Sequence, residues 1–301
     1  MKWEEPVMST QKGSLLAGLI GKGIQKSRTP EMHMAEAQAQ GMRAVYKIID
    51  TDTFSSGAPA LADLVRAAEL SGFDGLNITF PYKIDILPLL DTLSDNARAV
   101  GSVNTVVFRD GKTYGHNTDL WGFAEGFTRG MGGAKRDEVL LIGAGGAGVA
   151  VAHALADCGV KSLKIYDADP KRAAALAEQV AGNRSDVTAQ ALSAITEQST
   201  AGLDGVVNAT PVGMAKSPGM PFPADLIHPD LWVADIVYFP LETEFLASAR
   251  AKGCRVLPGS GMAVFQAVRA FQLFTGRSAD PVRMKATFDA FDTLSQEAAE
   301  T

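Results

Sequence analysis

The run Val139–Gly148, VLLIGAGGAG, constrains this chain more than any other stretch. Its apolar residues read as a buried parallel strand, and they pass directly into Gly143, Gly145 and Gly148 at the spacing G-x-G-x-x-G. Each glycine has its own task. The first permits a tight turn out of the strand, the second lets backbone N–H groups approach a pyrophosphate, and the third lets the following helix pack close to the sheet. The helix N-terminus then offers partial positive charge to the phosphates. A glycine-rich turn with no ligand is the alternative, and the sequence downstream weighs against it. A helix ends near Gly159, a second apolar strand begins at Leu163, and Asp167 closes that strand 19 residues beyond the last glycine. A carboxylate at that distance accepts hydrogen bonds from an adenosine ribose. The expectation is a dinucleotide held by Gly143, Ala144, Gly145, Gly146, Ala147 and Gly148, with Asp167 on the ribose.

The alternation of strands and helices around this motif extends the reading. Strands are expected at 139–142, 163–167, 205–208, 232–236 and 254–257, with helices at about 147–158, 170–181 and 242–252. Such alternation gives a parallel, doubly wound sheet. Asn208, Thr210 and Pro211 then fall in the loop after the third strand, where these sheets meet their ligands. Pro258-Gly259-Ser260-Gly261 is a turn leading to a helix that runs to Thr275, and a last helix at 281–295 places Met284, Phe288, Phe291 and Leu294 in the core.

A length of 301 residues suits two domains. In the earlier half, a strand at 14–20 runs into Gly21-Lys22-Gly23. Thr29 then serves as N-cap and Pro30 as first residue of a helix ending near Gln40. Ser27 and Thr29 serve either turn chemistry or a polar ligand, and the residues alone favour neither. A strand at 44–50, a helix at 60–70 and a strand at 75–80 follow. Pro81 is expected to open a helix with Lys83 in its first turn, where the helix dipole disfavours a cation. A strand at 102–108 precedes Asp119, which on the residues alone can be read as no more than the N-cap of a helix beginning near Leu120. Residues 1–12 read as a polar tail anchored only by Trp3.

Charge and composition exclude several classes. A net charge of −6 and the lack of any basic run argue against a nucleic-acid surface. No stretch approaches a membrane span, and Glu4 and Glu5 stand where a signal peptide would be basic, so a cytoplasmic protein is expected. Two cysteines and four scattered histidines give neither a disulfide framework nor zinc-ligand spacing, so no metal is expected and both cysteines read as small core residues.

Six blocks, taken in order, carry a resemblance. GKGIQKSRTPEMH at 21–33, NITFPYK at 77–83, GSVNT at 101–105, NTD at 117–119, NATPVGM at 208–214 and MAVFQA at 262–267 together resemble the shikimate dehydrogenase family over nearly the whole chain. Thr29, where the biosynthetic branch usually carries Ser, is similar to the quinate/shikimate dehydrogenase branch. The resemblance implies a two-domain α/β protein. An open α/β substrate domain comes from residues 1–118 and 262–301, a Rossmann dinucleotide domain from 119–261, and a cleft joins them. It implies that Lys83 and Asp119 are the catalytic pair. Ser27, Thr29, Thr79, Asn104 and Gln266 would hold the carboxylate and hydroxyls of a cyclohexene or cyclohexane acid, with Tyr238 lining the cleft. Met214 and Gly259 join Asn208, Thr210 and Pro211 on the cofactor side.

The implied reaction is reversible oxidation of a ring hydroxyl of quinate or shikimate to the 3-dehydro ketone. Members using the phosphorylated cofactor typically show Asn-Arg-Thr after the second strand of the Rossmann domain, whereas this chain has Asp167-Ala168-Asp169. A carboxylate suits a free ribose hydroxyl and repels a 2′-phosphate, so NAD is expected; Lys171 and Arg172 keep NADP open. The competing readings are an NADP-dependent biosynthetic enzyme, a catalytically idle sensor, and an aminated substrate of the same shape, left open by Met34 and Ala37. The implied partners are the small hydroxy acid and, in some family members, a second copy forming a homodimer.

Overall fold

The computed structural model describes residues 12–297, and side chains as far as Phe291, so Trp3 and the side chain of Leu294 lie outside the described residues. The chain divides into two units: one from the residues up to Thr118 and those from Val264 onward, the other Asp119–Ala263.

The first unit contains β1 (Ser14–Gly21), α1 (Thr29–Ala39), β2 (Arg43–Asp50), α2 (Leu61–Leu70), β3 (Gly75–Ile78), β4 (Thr92–Leu93), α3 (Asp95–Val100), β5 (Thr105–Arg109) and β6 (Lys112–His116). Its six-stranded sheet has the order β2-β1-β3-β5-β6-β4. β1 pairs in parallel with both β2 and β3, while β5 runs antiparallel to β3 and β6. Because β2 and β3 flank β1, the winding reverses there, and the loops leaving the carboxyl ends of β1 and β3 lie side by side at a switch point. Lys22 N donates to Phe80 O at 2.9 Å and Thr79 N to Ile20 O at 2.9 Å, which ties the two loops together. Ile20, Leu76, Ile78, Ile86, Val103 and Val106 form a core with Val65 and Ala68 of α2 and Ala97 of α3.

Two local expectations change here. No helix opens at Pro81: residues 80–86 are turns and 87–89 a single 3₁₀ turn. Pro81 and Pro88 each remove an N–H donor, and the few residues between them are too short to nucleate a helix. Lys83 therefore sits in a turn with no helix dipole against it. The strand β6 was not anticipated. Its signal was Asp110-Gly111, whose φ values of +53° and +69° make the two-residue hairpin turn that joins β5 to β6.

The second unit contains α4 (Thr118–Gly130, whose first residue belongs to the other unit), β7 (Glu138–Ile142), α5 (Gly146–Asp157), β8 (Ser162–Tyr166), α6 (Pro170–Asn183), β9 (Thr188–Ala191), α7 (Glu197–Thr200), β10 (Gly205–Asn208), β11 (Trp232–Asp235), α8 (Glu244–Ala251) and β12 (Arg255–Leu257). All six strands run parallel in the order β12-β11-β10-β7-β8-β9. This is the doubly wound order of a dinucleotide-binding sheet, with its switch between β7 and β10. Alanines 150, 152, 154 and 156 of α5 are buried, which lets that helix lie close to the sheet. Opposite, Leu140, Ile142, Val206 and Val233 pack with Phe222, Phe245 and Leu246.

Two helices close the chain, α9 (Ser260–Thr275) and α10 (Pro281–Glu297). Met284 and Phe288 are buried as the spacing predicts. The fully buried Glu36 of α1 accepts from Arg283 Nε at 2.6 Å and Asp280 N at 3.0 Å, locking α10 to α1. Both cysteines are free; Cys254 is buried, whereas Cys158 is half-buried, so the core role expected for it holds only in part. Among the described residues, no helix is long and apolar enough to cross a membrane, and no cluster of side chains could hold a metal ion.

Candidate active site

In the second unit the glycine loop is fixed from three sides. Gly143 has φ +104°, and a Cβ there would stand 2.8 Å from Thr210 Cγ2 and 2.9 Å from Ala209 C, so only glycine fits. A Cβ on Gly148 would lie 2.0 Å from Gly143 O. The third glycine thus makes room for the loop's own backbone, a closer constraint than the helix-to-sheet approach expected of it. At Gly145 a Cβ would meet nothing within 4 Å, and its backbone is one that any residue adopts. Nothing inside the protein calls for glycine there; the open space lies at the N-terminus of α5, beside the amides of Gly146 and Ala147.

Asp167, at the end of β8, accepts from Ala144 N at 2.7 Å and from Asp169 N at 2.8 Å. The carboxylate is therefore held against the glycine loop, and the Ala144 amide is spent on it. Asp169 caps α6 by accepting from Lys171 N at 3.0 Å and pairs loosely with Arg172 at 3.8 Å. The Arg172 guanidinium after the strand thus faces a second carboxylate.

The loop after β10 is organised from below. Asn208 is fully buried and its amide is fully used: it donates to Val212 O and to Asp235 Oδ1, each at 2.9 Å, and accepts from Thr210 N at 3.0 Å and Thr210 Oγ1 at 2.7 Å. Its side chain shapes the loop and does not project from it. Thr210 is half-buried, while Pro211, Met214 and Tyr238 are exposed. Gly259 is required by contact, since a Cβ would fall 2.5 Å from Ile236 O.

In the first unit the switch point carries side chains. Asp50, at the end of β2, accepts from Gly23 N at 2.8 Å, Ile24 N at 2.9 Å and Gln25 Nε2 at 3.1 Å, which pins the loop after β1. Burial pushes the Asp50 carboxyl up, but the bonds from Asp52, Gly23, Gln25 and Ile24 outweigh it and hold the group below the ordinary carboxylate value. Thr29 is the first helical residue, not the cap; the cap position is Arg28, with no side-chain capping bond. Arg28 turns inward, donating to Phe288 O at 2.9 Å with its guanidinium 4.5 Å from the Phe288 ring centroid. Ser27 and Thr29 are left half-buried at the mouth of the loop, with Ser27 Oγ accepting from Thr29 N at 3.3 Å.

Thr79 follows β3, and its Cγ2 occupies the space that a Cβ on Gly21 would need, at 2.4 Å. Lys83 lies half-buried in the turn beyond, its carbonyl accepting from Val103 N at 2.9 Å. Asn104 is oriented without ambiguity because Thr118 N must donate to its Oδ1, at 2.7 Å. Its Nδ2 then donates to Thr118 Oγ1 at 3.0 Å and to Gln266 Oε1 at 3.2 Å. Two candidates from blocks 162 residues apart are thereby joined. Behind them, Tyr46 Oη donates to Asn77 Oδ1 at 2.7 Å and Asn77 Nδ2 to Thr105 Oγ1 at 3.0 Å. Asp119, the residue after Thr118, is buried in the first turn of α4.

The roles of Asp50, Asn77 and Asp235 are not legible in the sequence pattern. The signal was a polar side chain at the carboxyl end of a strand, which pattern alone does not separate from a turn residue.

A family model described as the shikimate dehydrogenase substrate binding domain matches residues 19–106, and the shikimate 5'-dehydrogenase C-terminal domain matches 259–287. Residues 120–209 match the ThiF family. The chain is 54% identical to a shikimate dehydrogenase (NADP(+)) of Streptomyces avermitilis over 91% of this chain and 94% of that protein. It is 50% identical to a quinate/shikimate dehydrogenase (NAD(+)) of Corynebacterium efficiens over 91% of this chain and 98% of that one. Among solved structures, the quinate dehydrogenase from Corynebacterium glutamicum in complex with NAD superimposes with a TM-score of 0.87 at 49% identity, covering 92% of this chain and 99% of that chain.

Proposed function

The chain belongs to the shikimate dehydrogenase family, and on that premise we propose that it is an NAD-dependent dehydrogenase. It reversibly oxidises a ring hydroxyl of quinate, shikimate or both to the 3-dehydro ketone. The observation that carries the NAD assignment is Asp167, held against the glycine loop by Ala144 N, with Asp169 beside it. Two carboxylates there accept from a free ribose hydroxyl and repel a 2′-phosphate. The name of the Streptomyces relative supports an NADP reading; Asp167 and Asp169 count against it.

The residues fit a dinucleotide, since the space over Gly145 is the cradle that a side chain would fill. The amides of Gly145, Gly146 and Ala147 would take the diphosphate, with Gly143 and Gly148 giving the loop its shape. Thr210, Pro211, Met214 and Gly259 would line the nicotinamide side, with Asn208 acting through Thr210. When bound, NAD would supply the hydride acceptor for the carbinol carbon. The chain's own part is binding and proton transfer. Ser27, Thr29, Thr79, Asn104 and Gln266 hold the acid's carboxylate and hydroxyls, with Tyr238 as a further lining residue. As the ketone forms, the hydroxyl proton passes to Lys83 Nζ, with Asp119 as its charge partner; in reverse, the Lys83 ammonium protonates the developing alkoxide. The protein acts in the cytoplasm on a small hydroxy acid, as a homodimer.

Steady-state kinetics of wild type and Asp167→Ala with both cofactors tests this. The variant should weaken NAD and narrow the NAD/NADP preference. A wild type that already prefers NADP overturns the assignment of Asp167.

A further inference from the structure

Asp235 ends β11 beside the loop already assigned to the cofactor, and its carboxylate is buried with both oxygens engaged. Oδ1 accepts from Asn208 Nδ2 and from Val237 N, each at 2.9 Å, and Oδ2 accepts from Thr243 Oγ1 at 2.8 Å. Those donors belong to three different segments. Asn208 governs the 209–214 loop through Thr210 and Val212 O. Val237 opens the segment carrying Tyr238, and Thr243 caps α8 by accepting from Leu246 N at 3.3 Å. Thr210 Oγ1 extends the same path by accepting from Val212 N at 3.1 Å.

A surface turn needs no such hub. Burial pushes the Asp235 carboxyl up to about 6 against the three hydrogen bonds that pull it down, so the group is kept at a cost to the fold. Glycine at 213, with φ +103° and a Cβ position 3.8 Å from Asp235 Oδ2, continues the loop over the same carboxylate. We propose that Asp235 is a positioning residue for the dinucleotide: it fixes Asn208, and through Asn208 it sets the shape of the 209–214 loop on which cofactor affinity depends. This rests on the dinucleotide reading above.

The test is titration of NAD into wild type, Asp235→Ala, Asp235→Asn and Thr210→Val, with Tm and the KM for quinate measured on each. Asp235→Ala leaves three buried donors without an acceptor and should weaken NAD about tenfold, a larger factor than any rise it causes in the quinate KM. Asp235→Asn retains an oxygen for Asn208 and Val237 and should restore NAD affinity to within about threefold of wild type. Thr210→Val cuts the path on the loop side and should cost NAD about threefold. Wild-type NAD affinity in Thr210→Val overturns the proposal, and it decides the matter even if Asp235→Ala does not fold. A parallel loss of NAD and quinate affinity with lowered Tm in Asp235→Ala, unrelieved by Asp235→Asn, also overturns it. A wild type that binds no dinucleotide fails the functional reading itself, a result distinct from these.

Discussion

Between β7 and β10, the loop after the central strand is built of Gly143, Ala144, Gly145 and Gly146, and what it presents is backbone. Between β1 and β3, the loops carry Ser27, Thr29, Thr79 and Lys83, and what they present is side chain. Both sets of loops lie at a switch point of parallel strands, so topology does not distinguish them. Chemistry does. A diphosphate is met by amides that any sequence possesses, provided that the residues bearing them leave room. A ring bearing a carboxylate and hydroxyls must be met group by group, and each group needs support from behind, as Asn104 receives from Thr118 and Gln266.

Substitutions can break this contrast. Lys83→Ala removes the group proposed to take the hydroxyl proton; kcat should fall by about 10² to 10⁴ with NAD affinity unchanged, and Asp119→Asn should lose a smaller factor. A kcat within tenfold of wild type for Lys83→Ala would sink the assignment. The glycine loop offers a sharper division. Gly145→Ala has free space within the protein and should leave Tm unchanged while weakening NAD at least about tenfold. Gly148→Ala drives a methyl into Gly143 O and should cost about 1–3 kcal/mol of stability before any ligand is added. Equal Tm losses in the two variants would show that the loop is merely tightly packed.

A more gradual effect concerns acid stability. His33 is buried against Tyr46, Phe271 and Phe274 with neither ring nitrogen hydrogen-bonded, and burial pulls its pKa down to about 3. Burial, aided by Arg184, pulls His153 of α5 down to about 4. The unfolded chain binds these protons near pH 6.5 and the folded chain does not, so stability rises with pH across this window and falls as acid is added. Each group should cost about 1 kcal/mol per pH unit below 6. His33→Phe should flatten that slope in acid unfolding; an unchanged slope would contradict the buried neutral imidazole.

The second unit was legible because its constraints are local. A strand, three glycines at fixed spacing and a carboxylate at the next strand's end lie within one short stretch, and the parallel sheet follows from alternation. The first unit was harder. Nothing in the pattern separates Ser27 and Thr29 as ligand groups from turn residues, and only the resemblance gave them a role. The helix expected at Pro81 failed because two prolines leave too little chain between them, while β6 went unread although Asp110-Gly111 announced its hairpin. Hubs such as Asp50 and Asp235 stayed hidden, because a buried carboxylate is defined by donors from distant segments.

The most direct measurement is a comparison of initial rates with quinate and shikimate, each with NAD and with NADP, at one pH. Turnover of at least one acid is expected, with a higher kcat/KM with NAD than with NADP. A preference for NADP, or no turnover in any of the four combinations, would contradict it.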